Sequence, residues 1–243
     1  MRVRVLFFGR LKEIVGLADD TAELNEGSRV EDLFARYGNE FPELARFRPS
    51  VAAAVNQEYA EWSASLKNND EVAFLPPVSG GEATAADATS AERDVCAIVR
   101  TPIIAGEVAE QVKAPADGAV VVFEGIVRNN SRGKQTLYLI YEAYENMALA
   151  KMREICAEMR RLYQIDRILM LHRLGRLEIG ETSILIAVSS AHRAAAYDAS
   201  RFAIDTFKRI VPIWKQEYFR DGAVWADGEF PVAQPIPPES ESK

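Results

Sequence analysis

Three short segments carry side chains suited to holding an anion and acting on it. The first is Ser189-Ser-Ala-His-Arg193. Ser190 reads as a helix N-cap, which places His192 and Arg193 in the first helical turn. That turn carries free N–H groups and a partial positive charge, so acidic residues are normally favoured there. Two basic residues against that preference point to a bound anion, since phosphates bind at helix N-termini. The plainer alternative is a pair of outward-pointing, solvated side chains. The second segment is Phe207-Lys-Arg-Ile-Val-Pro-Ile-Trp-Lys-Gln-Glu217. Lys208 falls in the last helical turn, where a cation suits the dipole, and Pro212 puts Lys215 beyond the helix. Beside Trp214, Lys215 is open to desolvation, a usual route to a nucleophilic or acid/base lysine. Otherwise its stem merely covers the indole. The third is Gly125-Ile-Val-Arg-Asn-Asn-Ser-Arg-Gly133, a strand-to-loop junction with Arg128 and Arg132. Arginine matches phosphate geometry, and loops on a rigid scaffold often carry binding groups. Together the segments supply Arg128, Arg132, His192, Arg193, Lys208 and Lys215, with few acids between them. Such a set fits a pocket for a small phosphorylated molecule.

Composition narrows the chemistry. The 243 residues are 48% hydrophobic and 27% charged, as in globular proteins with a sizeable core. No apolar run approaches the ~18–20 residues that cross a bilayer. The apolar stretch in Met1-Arg-Val-Arg-Val-Leu-Phe-Phe8 is too short for a secretion signal. A cytoplasmic protein that does not use a membrane is therefore expected. Cys96 and Cys156 are too few for a disulfide framework, lack metal-ligand spacing and sit among apolar neighbours, so buried thiols are expected. With only His172 and His192 besides, no metal site and no tightly bound cofactor is expected. Residues 1–81 hold 9 Lys/Arg against 13 Asp/Glu, and residues 94–243 hold 19 against 20. Neither part is basic enough for a nucleic-acid binder.

The elements that must position these groups are legible as two sets. Arg2–Phe8 alternates with period two, and Thr21–Leu24 is a short second strand. Ser28 is placed to cap a helix through Val30, Leu33, Phe34 and Tyr37 that ends at Gly38. Val51–Val55 and Glu71–Leu75 read as later strands, completing a small sheet around one helix. In the second set Val95–Val99, Ala119–Gly125, Leu137–Glu142, Arg167–Arg173 and Ser183–Val188 read as strands. Long helices are expected over Asn146–Tyr163 and about Ala191–Arg209, the latter burying Ala196, Ala199, Ala203, Phe207 and Ile210. The class is α+β.

Between the sets lies Phe74-Leu-Pro-Pro-Val-Ser-Gly-Gly81, which ends like a chain terminus in mid-sequence. Glu82–Arg93 has no large apolar residue and reads as a flexible linker. Its twelve residues reach ~40 Å at full extension. The segment 231–243, Pro- and Ser-rich, is expected to be disordered.

Several long motifs resemble a known enzyme family. "VLFFGRLKEIVG", "AAVNQE" and "DEVAFLPPVSGG" are similar to the small, ubiquitin-like sulfur-carrier subunit of molybdopterin synthase. "FEGIVRNNSRGK", "LYLIYEAYENMA", "HRLGRLEIGE", "SSAHRAAAYDA" and "FKRIVPIWKQE" are similar to its large, catalytic subunit. The resemblance implies an N-terminal ubiquitin-like β-grasp domain (1–81) joined through the linker (82–93) to an α/β-hammerhead catalytic domain (94–230). It also implies an enzyme that installs two sulfurs on cyclic pyranopterin monophosphate (precursor Z) to form the molybdopterin dithiolene. The sulfur would arrive as a thiocarboxylate on Gly81, charged by a separate E1-like enzyme that uses ATP. By the same resemblance Lys215 takes the central acid/base or covalent role, and Lys208 contacts the tail or the intermediate. His192, Arg193 and Arg128 bind substrate, Ile126 and Val127 line the approach, and Gln216 and Glu217 touch the ligand. A dimer through the catalytic domain is implied, with His192 and Arg193 free to serve the neighbour's pocket.

One departure matters. Separate carriers end at the second glycine, whereas Gly81 here is joined to Glu82. An amide carbonyl cannot be a thiocarboxylate. Either the Gly81–Glu82 bond is cut, or the fusion is a latent form whose carrier domain fills the pocket while another carrier supplies sulfur.

Overall fold

The computed structural model describes residues 1–77, 94–131 and 133–226. The expected linker, the expected tail, Gly81 and Arg132 lie outside the described residues. The first set of elements runs β1 (Arg2–Phe7), α1 (Gly9–Val15), β2 (Asp19–Glu23), α2 (Val30–Glu40), α3 (Pro42–Arg46), β3 (Ala52–Val55), β4 (Glu58–Ala60) and β5 (Glu71–Leu75). They form one sheet in the order β2-β1-β5-β3-β4, with β1 and β5 parallel at its centre. Period-two alternation divides the apolar residues between two faces. Val3, Val5, Phe7, Val72 and Phe74 pack with Leu33, Phe34 and Tyr37 of α2. Leu6, Ala54, Ala73 and Leu75 belong to a different cluster, completed by Tyr144, Met147 and Trp214 from the second half of the chain. The unbroken apolar run in β5 follows from this, because both faces of the strand are covered.

The second set runs β6 (Asp94–Val99), α4 (Ala105–Gln111), β7 (Ala119–Ile126), β8 (Asn130–Ser131), β9 (Lys134–Ala143), α5 (Glu145–Leu162), β10 (Ile168–Arg173), β11 (Gly175–Glu178), β12 (Thr182–Ser190), α6 (Arg193–Ile210), β13 (Ile213–Phe219) and β14 (Gly222–Trp225). One sheet has the order β6-β10-β12-β7, and another β11-β9-β13-β14 with β8 paired to β9. Helices α5 and α6 bury Met152, Ile155, Met159, Ala199, Ala203 and Phe207 in one core with Met170, Ile186 and Val188. The expected apolar face of α6 is buried throughout. No helix of the described residues is long and apolar enough to cross a membrane.

Four local expectations are corrected. Helix α2 is capped at Arg29, whose N–H donates to the Asp32 carboxylate at 2.8 Å, not at Ser28. It also continues past Gly38 to Glu40; a Cβ on Gly38 would sit 3.3 Å from the Ala45 Cβ, so the glycine permits close packing of α3. Helix α6 begins at Arg193 with His192 as cap residue. Ser190 lies at the end of β12, where its Oγ donates to the Gln164 carbonyl and accepts from the His192 N–H. Of the two thiols expected to be buried, Cys156 is, and Cys96 is only half-buried.

The two halves share a continuous apolar seam. Phe8 stacks on Trp214 with ring centroids 5.1 Å apart and lies 5.0 Å from Tyr144. Polar contacts ring this seam. Lys12 Nζ reaches both Glu142 oxygens at 2.8 Å, Lys151 pairs with Glu58 at 2.7 Å, and the Tyr59 hydroxyl donates to the Ile210 carbonyl. The Tyr144 hydroxyl bonds the Glu71 carboxylate. Burial at this seam pushes the Tyr59 pKa well up, and burial together with the Glu71 hydrogen bond does the same to Tyr144. Gly9 sits at the tightest point with φ +50°, and an added Cβ would meet Pro76 Cγ at 3.1 Å. Gly9→Val therefore combines left-handed strain with a steric clash, and should weaken docking of the first domain by about 2–4 kcal/mol. Greater acrylamide quenching of tryptophan fluorescence in the intact chain would report the opened seam.

Candidate functional site

A cavity of about 840 Å³ opens where three structural transitions meet. The end of β7 and the loop after it contribute Ile126 and Arg128. The last turn of α6 contributes Lys208 and Arg209, and β13 contributes Lys215 and Glu217. Pro212 breaks the chain between α6 and β13, and its carbonyl accepts the Tyr144 N–H. A proline cannot extend the helical ladder, so the chain leaves α6 and enters the sheet as a strand. Lys215 then pairs with Tyr141 of β9. Strand alternation sends Lys215 and Glu217 to the same side, where Nζ and Oε1 are 3.0 Å apart. Trp214 is buried on the first domain and stacks on Phe8, so the main partner seen for Lys215 is this carboxylate rather than an apolar wall.

Arg128, Lys208, Arg209 and Lys215 face the cavity against the carboxylates of Asp205 and Glu217. A net positive wall in a chain of formal charge −7 favours an anionic ligand, and a concave, low-dielectric site concentrates that attraction. The first domain takes part directly. Trp214 Nε1 donates to the Pro76 carbonyl at 3.0 Å, and the next residue, Pro77, lines the cavity.

Several expected site residues fall elsewhere. Gln216 points from the opposite side of β13, where it donates to Glu13 of the first domain and accepts from the Tyr218 hydroxyl. Val127 is buried against Leu139 and Leu177 and does not line the cavity; it holds the loop by backbone bonds to Glu181 and Gly180. His192 and Arg193 are exposed at the far end of α6. Fifteen residues of helix separate Arg193 from Lys208, about 22 Å along the axis. The two basic ends of this helix therefore cannot serve one cavity of a single chain.

His172 is a cavity residue that motif reasoning did not pick out. It is 4% exposed, lies parallel to Phe207 with centroids 5.6 Å apart, and meets Tyr141 edge-on at 5.1 Å. Burial pushes its pKa down to about 3, so the imidazole is neutral near pH 7. Its buried Nδ1 has no hydrogen-bond partner among the described residues. It joins the element bearing Lys208 to the strand beside Lys215. Nothing local in Ile168-Leu-Met-Leu-His-Arg173 signals this, because the contact is made only when α6 crosses the sheet.

Comparison with known proteins accounts for both halves. Residues 5–81 match the ThiS family model, and residues 98–210 match the MoaE protein family model. The molybdopterin synthase catalytic subunit of Halalkalibacterium halodurans is 47% identical over 129 residues, covering 53% of this chain and 83% of that protein. The human protein of the same name is 43% identical over 133 residues, covering 55% and 71%. A crystal structure of molybdopterin synthase from Staphylococcus aureus superposes with a TM-score of 0.51 at 43% identity, covering 53% of this chain and 94% of that one. The chain belongs to the molybdopterin synthase family, as an enzyme of molybdenum cofactor biosynthesis in which a ThiS-type sulfur-carrier domain and a MoaE-type catalytic domain form one polypeptide.

Proposed function

We propose that the chain converts cyclic pyranopterin monophosphate to molybdopterin with sulfur delivered from a thiocarboxylate on Gly81, after hydrolysis of the Gly81–Glu82 bond. One observation carries this reading: Pro77, near the end of the carrier domain, lines the same cavity as Lys208 and Lys215. Four further residues, at ~3.3–3.6 Å each, give Gly81 a reach of about 14 Å from Pro77. Glycines suit such an arm because the backbone can approach other groups closely. In each transfer the thiocarboxylate sulfur bonds to a substrate carbon as that carbon's bond to oxygen breaks. Water then cleaves the acyl C–S bond, so that sulfur stays on the substrate and Gly81 leaves as a carboxylate. Lys215 acts as the acid/base or covalent group, and Lys208 holds the arm or intermediate. Arg128 and Arg209 supply charge for the substrate phosphate, and Ile126 forms part of the wall.

The domains on this reading are 1–81, 82–93, 94–230 and 231–243, with a separate E1-like, ATP-using enzyme charging the carrier. The ~22 Å between Arg193 and Lys208 supports a dimer in which His192 and Arg193 complete the partner's cavity. Reconstitution tests the proposal. Residues 1–81 carrying a Gly81 thiocarboxylate, mixed with residues 82–243, should convert precursor Z, and the uncut chain should not. Conversion by the uncut chain with no separate carrier present would remove the need for cleavage. A failure of the mixture would remove the assigned chemistry.

A further inference from the structure

The sulfur of Cys96 lies 3.3 Å from the sulfur of Cys156, and both cysteines are free. They belong to elements 60 residues apart in sequence that meet by folding. Cys96 is on β6, the edge strand of its sheet, opposite Met170 of β10. Cys156 faces the α5 core beside Met152, Ile155 and Met159. Arg160, one turn further along α5, clamps Asp94 at the start of β6 with a two-pronged ion pair whose Nε–Oδ2 distance is 2.7 Å. That clamp fixes the register of strand and helix, so the facing thiols are held rather than merely adjacent.

We propose that Cys96 and Cys156 form a modification site, an intrachain disulfide made by a two-electron peroxide oxidant, which staples β6 to α5. The sulfurs need to approach by only about 1.3 Å to reach bonding distance. The two thiols have unequal parts. Cys96 is partly exposed, and its hydrogen bond with Cys156 lowers its pKa, whereas the same bond and burial raise that of Cys156. Peroxide therefore attacks at Cys96, whose sulfur is oxidised to the sulfenic acid as one water leaves. The Cys156 sulfur then bonds to the Cys96 sulfur, and the departing hydroxide takes the Cys156 proton as a second water. Two thiols and one peroxide give one disulfide and two waters. Strand β6 is the first described element after the inter-domain segment. The disulfide gives it a covalent anchor in addition to its pairing with β10 and the Arg160 clamp.

The test treats the full-length chain with equimolar hydrogen peroxide, alkylates remaining thiols and measures intact mass. The expected product is a monomer lighter by two hydrogens and without alkyl groups, while Cys96→Ser and Cys156→Ser each retain one alkylatable or oxygenated thiol. Closing this loop should also raise the catalytic-domain Tm by about 10 °C, reversed by dithiothreitol. Oxygen retained on Cys96 with Cys156 still alkylatable, or a disulfide-linked dimer, overturns the pairing. An unchanged Tm in the oxidised monomer overturns the staple.

Discussion

Lys215→Ala is expected to lower the rate of precursor Z conversion by about 10³-fold with the fold intact. Lys215 combines a position on the cavity wall with a 3.0 Å contact to Glu217 and about one-third exposure of its side chain. Truncation removes a cation from a cavity of net positive lining, and it removes the group that the proposed function gives to proton transfer or covalent attachment. Both losses act on the chemical step, and little packing is lost because the aromatic seam belongs to Trp214. Lys215→Arg separates the two contributions. The guanidinium keeps the charge but cannot readily lose its proton, so a rate close to that of the alanine variant assigns acid/base or nucleophilic work. Recovery toward the original rate assigns electrostatics alone. The measurement is single-turnover conversion with a thiocarboxylated carrier, alongside circular dichroism; near-normal turnover by the alanine variant would refute the role.

The second large effect concerns acid. His172 has a folded pKa of about 3 against ~6.5 in an unfolded chain. Between those values the unfolded state holds the extra proton, so stability rises with pH there and is lost as pH falls. The full contribution is present above pH ~6.5, and roughly 3 kcal/mol of it is gone by pH 4. His172→Phe preserves an aromatic ring against Phe207 and Tyr141 and removes the titration. Urea unfolding of the catalytic domain at pH 7 and pH 4 should show a smaller acid loss in the variant, by about that amount. Glu181, whose pKa is held down by the Glu178 backbone N–H and then by Arg173, and Glu158, held down by Arg161, contribute acid sensitivity in the same direction. The difference between the two proteins isolates His172. Equal acid sensitivity would show that the imidazole is not buried as described.

Much of this architecture is legible in the sequence because its signals are local. The run of α6 positions Ala196, Ala199, Ala203, Phe207 and Ile210 repeats at helical spacing, and all are buried. Strand β5 was expected at the residues where it occurs. Strand β13 was not expected, because Lys215-Gln-Glu217 has no apolar alternation of its own. Its strand character comes from the ladder to β9, a non-local contact. Helix α1 was missed for a related reason: it opens at a left-handed Gly9 whose neighbours are Pro76, Trp214 and Trp225, all distant in sequence. The cationic cluster was only partly legible. Residue types pointed to six basic side chains as one pocket, yet helix length alone sets Arg193 and Lys208 about 22 Å apart. His172 could not be found this way, since a histidine among Leu, Met and Ile reads as ordinary core.

The buried Lys151 has a consequence for how such an enzyme cycles. Its side chain is 4% exposed, and its ammonium is shared between Glu154 of its own helix and Glu58 of the carrier domain. A carrier held by this ion pair and by an aromatic seam does not leave merely because one peptide bond is hydrolysed. On the proposed function two sulfurs require two charged carriers, so a spent one would have to vacate the surface first. A covalent tether holds its ligand at an effective concentration that can reach millimolar, so the uncut domain, which cannot carry a thiocarboxylate, would also obstruct delivery by any other carrier. On that proposal, cutting the chain would do more than free a carboxyl group: it would convert a permanent resident into an exchangeable one and make exchange, rather than chemistry, the natural point of control.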